Sequence, residues 1–306
     1  MTKDNIAIIG AGKVAHSITP SLNKSGFNVE YVVSKNPASA KTLAKKYSIP
    51  HYSNLIKKIP DNVNVFFITV PDGEIKIVAE KLSKLKRDFK NCICIHFSGL
   101  ENIHSLNSLK KKGCATGSLH IIKPFPSKEI VDIKNSPASI EVTNKRSLNF
   151  LIQLCRKLKL KSHRINSEEK VLHHLAAVHS SNFLVGNLYN AFSLISSKSN
   201  LSKYSLKQTT QSALNNVFKL SPSKALSGPI DRGDFYSIKK HLEALDSKVI
   251  RRLTDKKNKS LKLLRLSYIV QSLGLLNVVE KKYGKLNENQ LKIQKYLRKK
   301  LGKRYN

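Results

Sequence analysis

The sequence is poor in acidic residues and has no tryptophan. Its 306 residues include 20 Asp and Glu against 55 Lys and Arg, which gives a formal charge of +35. Such an excess is typical of nucleic-acid-binding proteins, but the basic residues are spread along the whole chain, which favours a generally basic surface. The one local concentration runs from Lys281 to Arg304, where the single acid is Glu288. We interpret it as a solvated helix, with contact to an anionic surface as the alternative.

Cysteine is scarce, and its spacing excludes the usual zinc motifs. None of Cys92, Cys94, Cys114 and Cys155 forms a CxxC pair or has a histidine at zinc-finger distance. We therefore expect buried thiols, no metal site and a reducing compartment, which predicts a cytoplasmic protein. No stretch approaches the ~18 apolar residues of a membrane span. The apolar residues 6–9 are too few for a secretory signal core.

The first half of the chain alternates β-rich runs with amphipathic stretches, as in a parallel sheet covered by helices. Strands are predicted at Asn5–Ile9, Val29–Val33, Val63–Val70, Cys92–Phe97, Thr116–His120, Ala138–Thr143 and Lys161–Ile165, and helices near 14–25, 38–47, 74–86, 102–111 and 145–158. After Asn166 only helical periodicity remains. The predicted fold is an α/β Rossmann domain with a doubly wound, mostly parallel sheet over residues 1–165, followed by an all-helical domain over 166–306.

A glycine-rich turn follows the first predicted strand. Residues 10–15, Gly-Ala-Gly-Lys-Val-Ala, fit the pattern G-x-G-x-x-[GA] and open an amphipathic helix. Gly10 permits the tight turn, Gly12 lets the backbone approach a pyrophosphate, and Ala15 allows the helix to pack on the strand. The free N–H groups of the first helical turn then bind the diphosphate. This pattern predicts a dinucleotide site that also includes Lys13 and Val14.

The end of the second predicted strand indicates which nucleotide binds. NAD sites usually place an acid there for the ribose hydroxyls, whereas this chain has Ser34-Lys35-Asn36. Glu30 lies four residues earlier on an extended strand and cannot substitute. A hydroxyl and an ammonium suit a 2′-phosphate, so NADP is predicted in preference to NAD. The alternative is that Ser34 and Lys35 are ordinary loop residues.

Two further strand ends should border the cofactor, because ligands of open α/β sheets bind beyond the carboxyl ends of strands. Val70, Pro71 and Asp72 follow the third predicted strand, and Ser98 and Gly99 follow the fourth. The preferred role of Asp72 is the N-cap of the next helix.

Four longer segments carry a family resemblance: His96–Leu100 (HFSGL), Ser118–Phe125 (SLHIIKPF), His174–Asn182 (HLAAVHSSN) and Ala225–Asp234 (ALSGPIDRGD). Together with the glycine turn, they resemble the Rossmann-like proteins that carry a helical C-terminal domain of unknown function, DUF2520. That family is related to the superfamily of 6-phosphogluconate dehydrogenase and pyrroline-5-carboxylate reductase. Ile121 and His179 depart from the family pattern. The resemblance implies an NADP-dependent oxidoreductase with a small polar substrate, a 6-phosphogluconate-dehydrogenase-like helical domain and a homodimer formed through it.

In that wider superfamily the proton donor and an Asn lie on the first long helix of the second domain. On one continuous helix, His174 and Asn182 would lie two turns and about 80° apart, and His173 would point away from His174. An imidazole that titrates near neutral pH can move a proton, and Asn182 can orient a carbonyl. The alternative is that His174 and Asn182 are ordinary helix residues whose hydrogen bonds are satisfied within a polar interface.

Two more residues are candidates for substrate contact. His120, at a strand end, is the second candidate acid. Arg232 can bind a substrate carboxylate; the alternative is that it forms a structural turn network with Asp231. Asp234 is expected to be the N-cap of the next helix. A non-catalytic dinucleotide-binding or sensing module is the competing function, since no catalytic-lysine motif of the hydroxyacid dehydrogenases is present.

Overall fold

The computed structural model describes residues 4–195, 204–247 and 258–302. The chain forms two compact units, Met1–Asn182 and Phe183–Asn306. The strands of the first unit are β1 (Asn5–Ile9), β2 (Asn28–Val33), β3 (His51–Ser53), β4 (Val65–Ile68), β5 (Ile93–His96), β6 (Ala115–Ile121), β7 (Pro137–Val142) and β8 (Lys161–Arg164).

These strands form one sheet in the order β3-β2-β1-β4-β5-β6-β7-β8. All neighbours are parallel except β6 and β7. The predicted mostly parallel Rossmann fold is therefore confirmed. Strand β3 was missed because its three residues include the exposed His51 and Tyr52 and lack an apolar pattern.

Helices cover both faces of the sheet: α1 (Lys13–Lys24), α2 (Pro37–Lys46), α3 (Asp72–Ser83), the short α4 (Asn107–Lys110), α5 (Lys145–Lys157) and α6 (Ser167–Ser180). Alternate residues of β1 enter different cores: Ile6 and Ile8 pack in one cluster, Ala7 and Ile9 in the other. Burial on both faces explains why these strands read as continuous apolar runs.

Helix α1 continues through Pro20, which has no N–H to donate to the carbonyl one turn earlier. The hydroxyl of Tyr47 donates to this carbonyl, that of His16, over 2.8 Å. A side chain from outside the helix thus replaces the missing bond, and the proline does not end α1.

Two predictions about helix ends are wrong. Pro71 occupies the N-cap of α3, and the Asp72 side chain, at the first helical position, makes no capping bond; its charge still suits the positive end of the helix dipole. Helix α6 ends at Ser180, and a new helix begins at Asn182 because Ser181 leaves the helical conformation (φ −121°, ψ −64°). His174 and Asn182 therefore do not share one continuous helix.

The change from strands to helices falls after β8, close to residue 165. Helix α6 nevertheless belongs to the first compact unit. It starts with a reciprocal capping box between Asn166 and Glu169 and contributes the fully buried Lys170 to the interior.

The described helices of the second unit are α7 (Asn182–Leu194), α8 (Ser205–Leu220), α9 (Pro222–Ala225), α10 (Pro229–Arg232), α11 (Phe235–Asp246), α12 (Asn258–Tyr283) and α13 (Glu288–Leu301). Asp234 caps α11 by accepting from the Ser237 N–H, as predicted. The basic segment 281–304 covers the end of α12 and α13, and its last two residues lie outside the described part of the chain.

Helix α12 is the one described helix that is long and apolar enough to cross a membrane, over Ser260–Tyr283 (mean hydropathy 1.2). Its residues Ile269, Leu276 and Val279 have no exposed surface and pack in the core of the second unit. Other apolar side chains of the same helix, such as Leu263 and Val270, are more than half exposed.

Candidate active site

The glycine turn joins β1 to α1 and fits the expected phosphate cradle. Gly10 has φ +112°, and a Cβ there would lie 2.6 Å from the carbonyl oxygen of Thr69. Gly12 is the N-cap of α1 and has no side-chain cap, and a Cβ on it would meet no atom closer than 3.8 Å. Because no side chain caps α1, the first N–H groups of the helix are available to a diphosphate.

A cavity of about 420 Å³ opens beside this turn. Six of the predicted cofactor residues line it: Gly10, Gly12, Ser34, Lys35, Val70 and Pro71. Lys13, Val14 and Ala15 lie at the start of α1, Asp72 at the start of α3, and Ser98 and Gly99 after β5, but none of these six lines the cavity.

Sequence reasoning missed part of this cavity. An apolar wall is formed by Leu55, Ile56, Ile77 and Val78. Leu55 and Ile56 follow β3, the strand that the sequence pattern did not reveal. Thr69 stabilises the glycine turn, because its hydroxyl donates to the carbonyl of Gly10 over 2.9 Å. An apolar wall beside a phosphate cradle can hold an adenine ring.

Charged groups at the rim bear on the choice of nucleotide. Lys35 Nζ lies 2.6 Å from Glu74 Oε2, and 75% of the Lys35 side chain is exposed. Glu30, the acid within β2, accepts a hydrogen bond from the side chain of Asn62. Lys81 and Lys128 also line the cavity. An exposed ion pair contributes little stability, so Lys35 can leave Glu74 for a phosphate at small cost.

His120 and His174 meet over Gly99. Their ring centroids lie 6.0 Å apart, and a Cβ on Gly99 would lie 2.6 Å from His120 Nε2 and 2.8 Å from His174 Nδ1. The buried Nδ1 of His174 has no hydrogen-bond partner among the described residues. Gly99 therefore leaves room for two imidazole nitrogens that face the same point. His173, in contrast, is exposed and contacts the ring of His163.

The surroundings keep His120 uncharged. Burial, followed by the charges of His174 and Lys170, lowers the pKa of His120 to about 4. Burial also holds the pKa of His96, at the end of β5, well below its usual value. The nearby Ser98 uses its hydroxyl to accept the N–H groups of Leu100 and Glu101, at 3.0 and 2.8 Å, and so shapes the turn that carries Gly99.

A buried lysine lies beside this pair and was not predicted. Lys170 is 1% exposed. Its ammonium donates to Ser118 Oγ over 2.7 Å and lies 3.4 Å from Glu141 Oε2. No short motif marks Lys170 in this lysine-rich chain, and only its burial distinguishes it.

Asn182 and Arg232 are the other two candidate residues. The Asn182 side chain accepts a hydrogen bond from Ser181. Arg232 is exposed at the end of α10 in the second unit. Its neighbour Asp231 pairs with Lys282 over 2.9 Å.

Two family models match the chain. Residues 5–96 match the family described as NADP oxidoreductase, coenzyme F420-dependent, and residues 136–257 match the domain of unknown function DUF2520. The second match begins at Ser136, just before β7, and so includes the last two strands of the sheet. The resemblance drawn from the sequence motifs is confirmed: the chain is a Rossmann-like protein with a DUF2520 region.

Solved structures share the fold. A proposed NADP oxidoreductase of Bacteroides fragilis is 24% identical and has a TM-score of 0.71 over 87% of this chain and 98% of its own. A reductive aminase of Aspergillus terreus, in complex with NADPH and ethyl-5-oxohexanoate, is 12% identical with a TM-score of 0.59 over 97% and 93%. A pyrroline-5-carboxylate reductase of Coxiella burnetii is 16% identical with a TM-score of 0.52 over 89% and 98%. No curated protein matches the sequence.

Proposed function

We propose that this oxidoreductase-like chain is an NADP-dependent enzyme that transfers hydride to or from a small polar substrate. The observation that carries the proposal is the cavity in which the Gly10–Gly12 turn, Ser34 and Lys35 lie together, without an acid at the end of β2. The reductive aminase with the same fold was solved with NADPH. Lys81 and Lys128 add positive charge to the cavity wall.

The residues fit the cofactor in three parts. The free N–H groups at the start of α1 would bind the diphosphate, the apolar wall around Leu55 and Ile77 would hold the adenine, and Ser34 with Lys35 would bind the 2′-phosphate. When bound, the cofactor supplies the hydride chemistry, and the protein orients the substrate and moves a proton.

Proton movement is assigned to His120 and His174. Because its pKa is about 4, His120 is neutral at physiological pH and would act as a hydrogen-bond acceptor towards the substrate, not as the acid predicted from the sequence. The unpartnered Nδ1 of His174 faces the same point over Gly99. Asn182 and Arg232 remain candidates for orienting the substrate.

Nucleotide choice can be tested by calorimetric titration with NADPH and NADH. Lys35→Ala should weaken NADPH binding about tenfold and change NADH binding by less than about twofold, because it removes a phosphate contact. Glu74→Gln should strengthen NADPH binding a few-fold by freeing Lys35 and removing a negative charge. Lys45→Ala, an exposed lysine of α2 outside the cavity, is the matched control. Equal affinities for both nucleotides in the wild type would contradict the NADP assignment.

Catalysis needs a separate test, since a sensor would also bind the nucleotide. A metabolite screen that follows NADPH absorbance should reveal turnover in the wild type and a loss of at least about tenfold in His174→Ala. Nucleotide binding without turnover across the screen would favour the sensing module.

Assembly and location complete the proposal. We expect a homodimer through the helical unit, supported by apolar side chains on its surface: Val185 on α7 is 68% exposed and Phe218 on α8 is 87% exposed. Light scattering would measure the mass. The four buried free thiols support a reducing, cytoplasmic location.

A further inference from the structure

The side chain of Lys170 is buried, so it cannot serve the usual role of a lysine as a solvated surface residue. Lysines are almost never fully buried unless they are paired, and Lys170 is paired twice, with Ser118 on β6 and Glu141 on β7. Glu141, itself 6% exposed, also accepts from the hydroxyl of Ser167 at the start of α6. The ion pair therefore ties α6 to two neighbouring strands.

The spacing of these residues places the ion pair directly beside the histidines. Ser118 and His120 are two residues apart on β6 and point to the same face. Lys170 and His174 are four residues apart on α6 and share one side of that helix. Strand and helix thus meet at two successive contacts, Lys170 with Ser118 and His174 with His120.

We propose that Lys170 is a positioning residue: by bonding to Ser118 and Glu141, it fixes α6 on β6 so that the His174 imidazole faces His120 over Gly99. A slip of α6 by one residue would rotate it by about 100° and carry His174 away from the strand. Among the described residues, the Lys170 ammonium bonds to Ser118 and Glu141 and to neither imidazole.

The charge of Lys170 adds an electrostatic effect to this geometry. The charged groups that act on the pKa of His120 are His174, Lys170 and His173 on α6 and Asp72 on α3, and after burial and His174 the lysine is the next cause of its low pKa. Burial lowers the pKa of Lys170 itself, and the charges of Glu141, Asp72 and Glu101 offset this effect only in part. The ammonium therefore favours the uncharged form of His120.

This inference rests on the proposed function, because the arrangement of the pair matters only if the pair moves a proton. Its test uses neither cofactor nor substrate. The full chain is labelled with ¹³C-histidine, and NMR follows the imidazole C–H signals of His120 and His174 from pH 8 down to about one unit below the pKa of His120. Single His→Gln variants assign the two signals.

The decisive variant is Lys170→Met combined with Glu141→Gln, which removes both charges and leaves neither one buried alone. The midpoint of the His120 titration should rise, because the positive charge of Lys170 contributes to its low value, and the cross-peak between the His120 and His174 rings should disappear. Lys170→Arg keeps the charge and should leave the midpoint near the wild-type value. Lys145→Met removes an exposed lysine at the start of α5 and should change neither signal.

An unchanged midpoint together with an unchanged cross-peak in the double variant would overturn the proposal and leave Lys170 as a structural ion pair. If circular dichroism shows that the double variant does not fold, Ser118→Ala decides. It removes one bond of Lys170 and should weaken the cross-peak, whereas a wild-type cross-peak would overturn the proposal. Failure of the cofactor assignment would appear separately, as absent NADPH binding with a normal histidine titration.

Discussion

The nucleotide cavity and the histidine pair lie at the same edge of one sheet, yet the chain builds them differently. The cavity depends on backbone: a glycine with φ +112°, a helix start without a side-chain cap, and strand ends that leave room. The pair depends on side chains from distant segments, His120 on β6 and His174 on α6, around Gly99.

This difference separates binding from proton chemistry. A backbone cradle tolerates changes in most side chains around it, because its donors are N–H groups. A side-chain pair holds its geometry only while every supporting contact persists. We therefore expect that a substitution of Gly10 impairs nucleotide binding, and that a substitution of Gly99 disturbs the histidine pair without impairing nucleotide binding.

The largest effect is expected from Gly10→Ala. The new Cβ would lie 2.6 Å from a backbone oxygen, and the residue would have to keep φ at +112°. We expect a loss of about 2–4 kcal/mol in the free energy of unfolding and of at least about 100-fold in NADPH affinity, since the turn must move. Chemical denaturation followed by circular dichroism suits a chain without tryptophan, and calorimetry gives the affinity.

Gly73→Ala is the matched control for this prediction. Gly73 also follows a strand end, but a Cβ there meets no atom within 4 Å, and alanine favours the helix α3 by about 0.5–1 kcal/mol. Wild-type affinity in Gly10→Ala would show that the turn does not hold the nucleotide.

A smaller and more selective effect is expected from Gly99→Ala. Its Cβ would displace the ring ends of His120 and His174, which can rotate, at a cost of about 2 kcal/mol. NADPH affinity should stay within about threefold of the wild type, because Gly99 does not line the nucleotide cavity. The NMR signals of both imidazoles should shift. A parallel loss of NADPH binding would refute the separation of the two sites.

The sequence predicted those features that short local patterns encode. The glycine turn, the lysine after β2 and the strands with apolar runs could be read from neighbouring residues. β3 could not, because its three residues, two of them exposed, carry no apolar periodicity. Nor could the break at Ser181, since no Pro or Gly marks it.

Long-range pairing was the other limit. Glu74 partners Lys35 across 39 positions, and Lys170 reaches Ser118 across 52. In a chain with 55 basic residues, nothing local distinguishes these lysines from solvated ones. Only the fold shows which lysine is buried and which carboxylate lies at the rim.

The smallest expected effect is the pH dependence of the free energy of unfolding, which concerns the histidine pair and not the nucleotide cavity. The pKa of His120 is about 4 in the folded chain and near 6.5 when unfolded. Between these values the unfolded state binds more protons, so the free energy of unfolding falls as the pH drops from 6.5 towards 4 and is unaffected above that window. From pH 7 to 5, His120 should account for a loss of about 1 kcal/mol, after allowance for its partial exposure.

His120→Gln should therefore show a shallower loss of stability between pH 7 and 5 than the wild type, measured by chemical denaturation at each pH. Part of the slope should remain in this variant, because burial also lowers the pKa values of His16 and His96. NADPH affinity at pH 7 should not change, since His120 is neutral there and lies outside the nucleotide cavity. An identical slope in the variant would mean that His120 titrates normally, and the neutral imidazole assigned to proton transfer would then lose its physical basis.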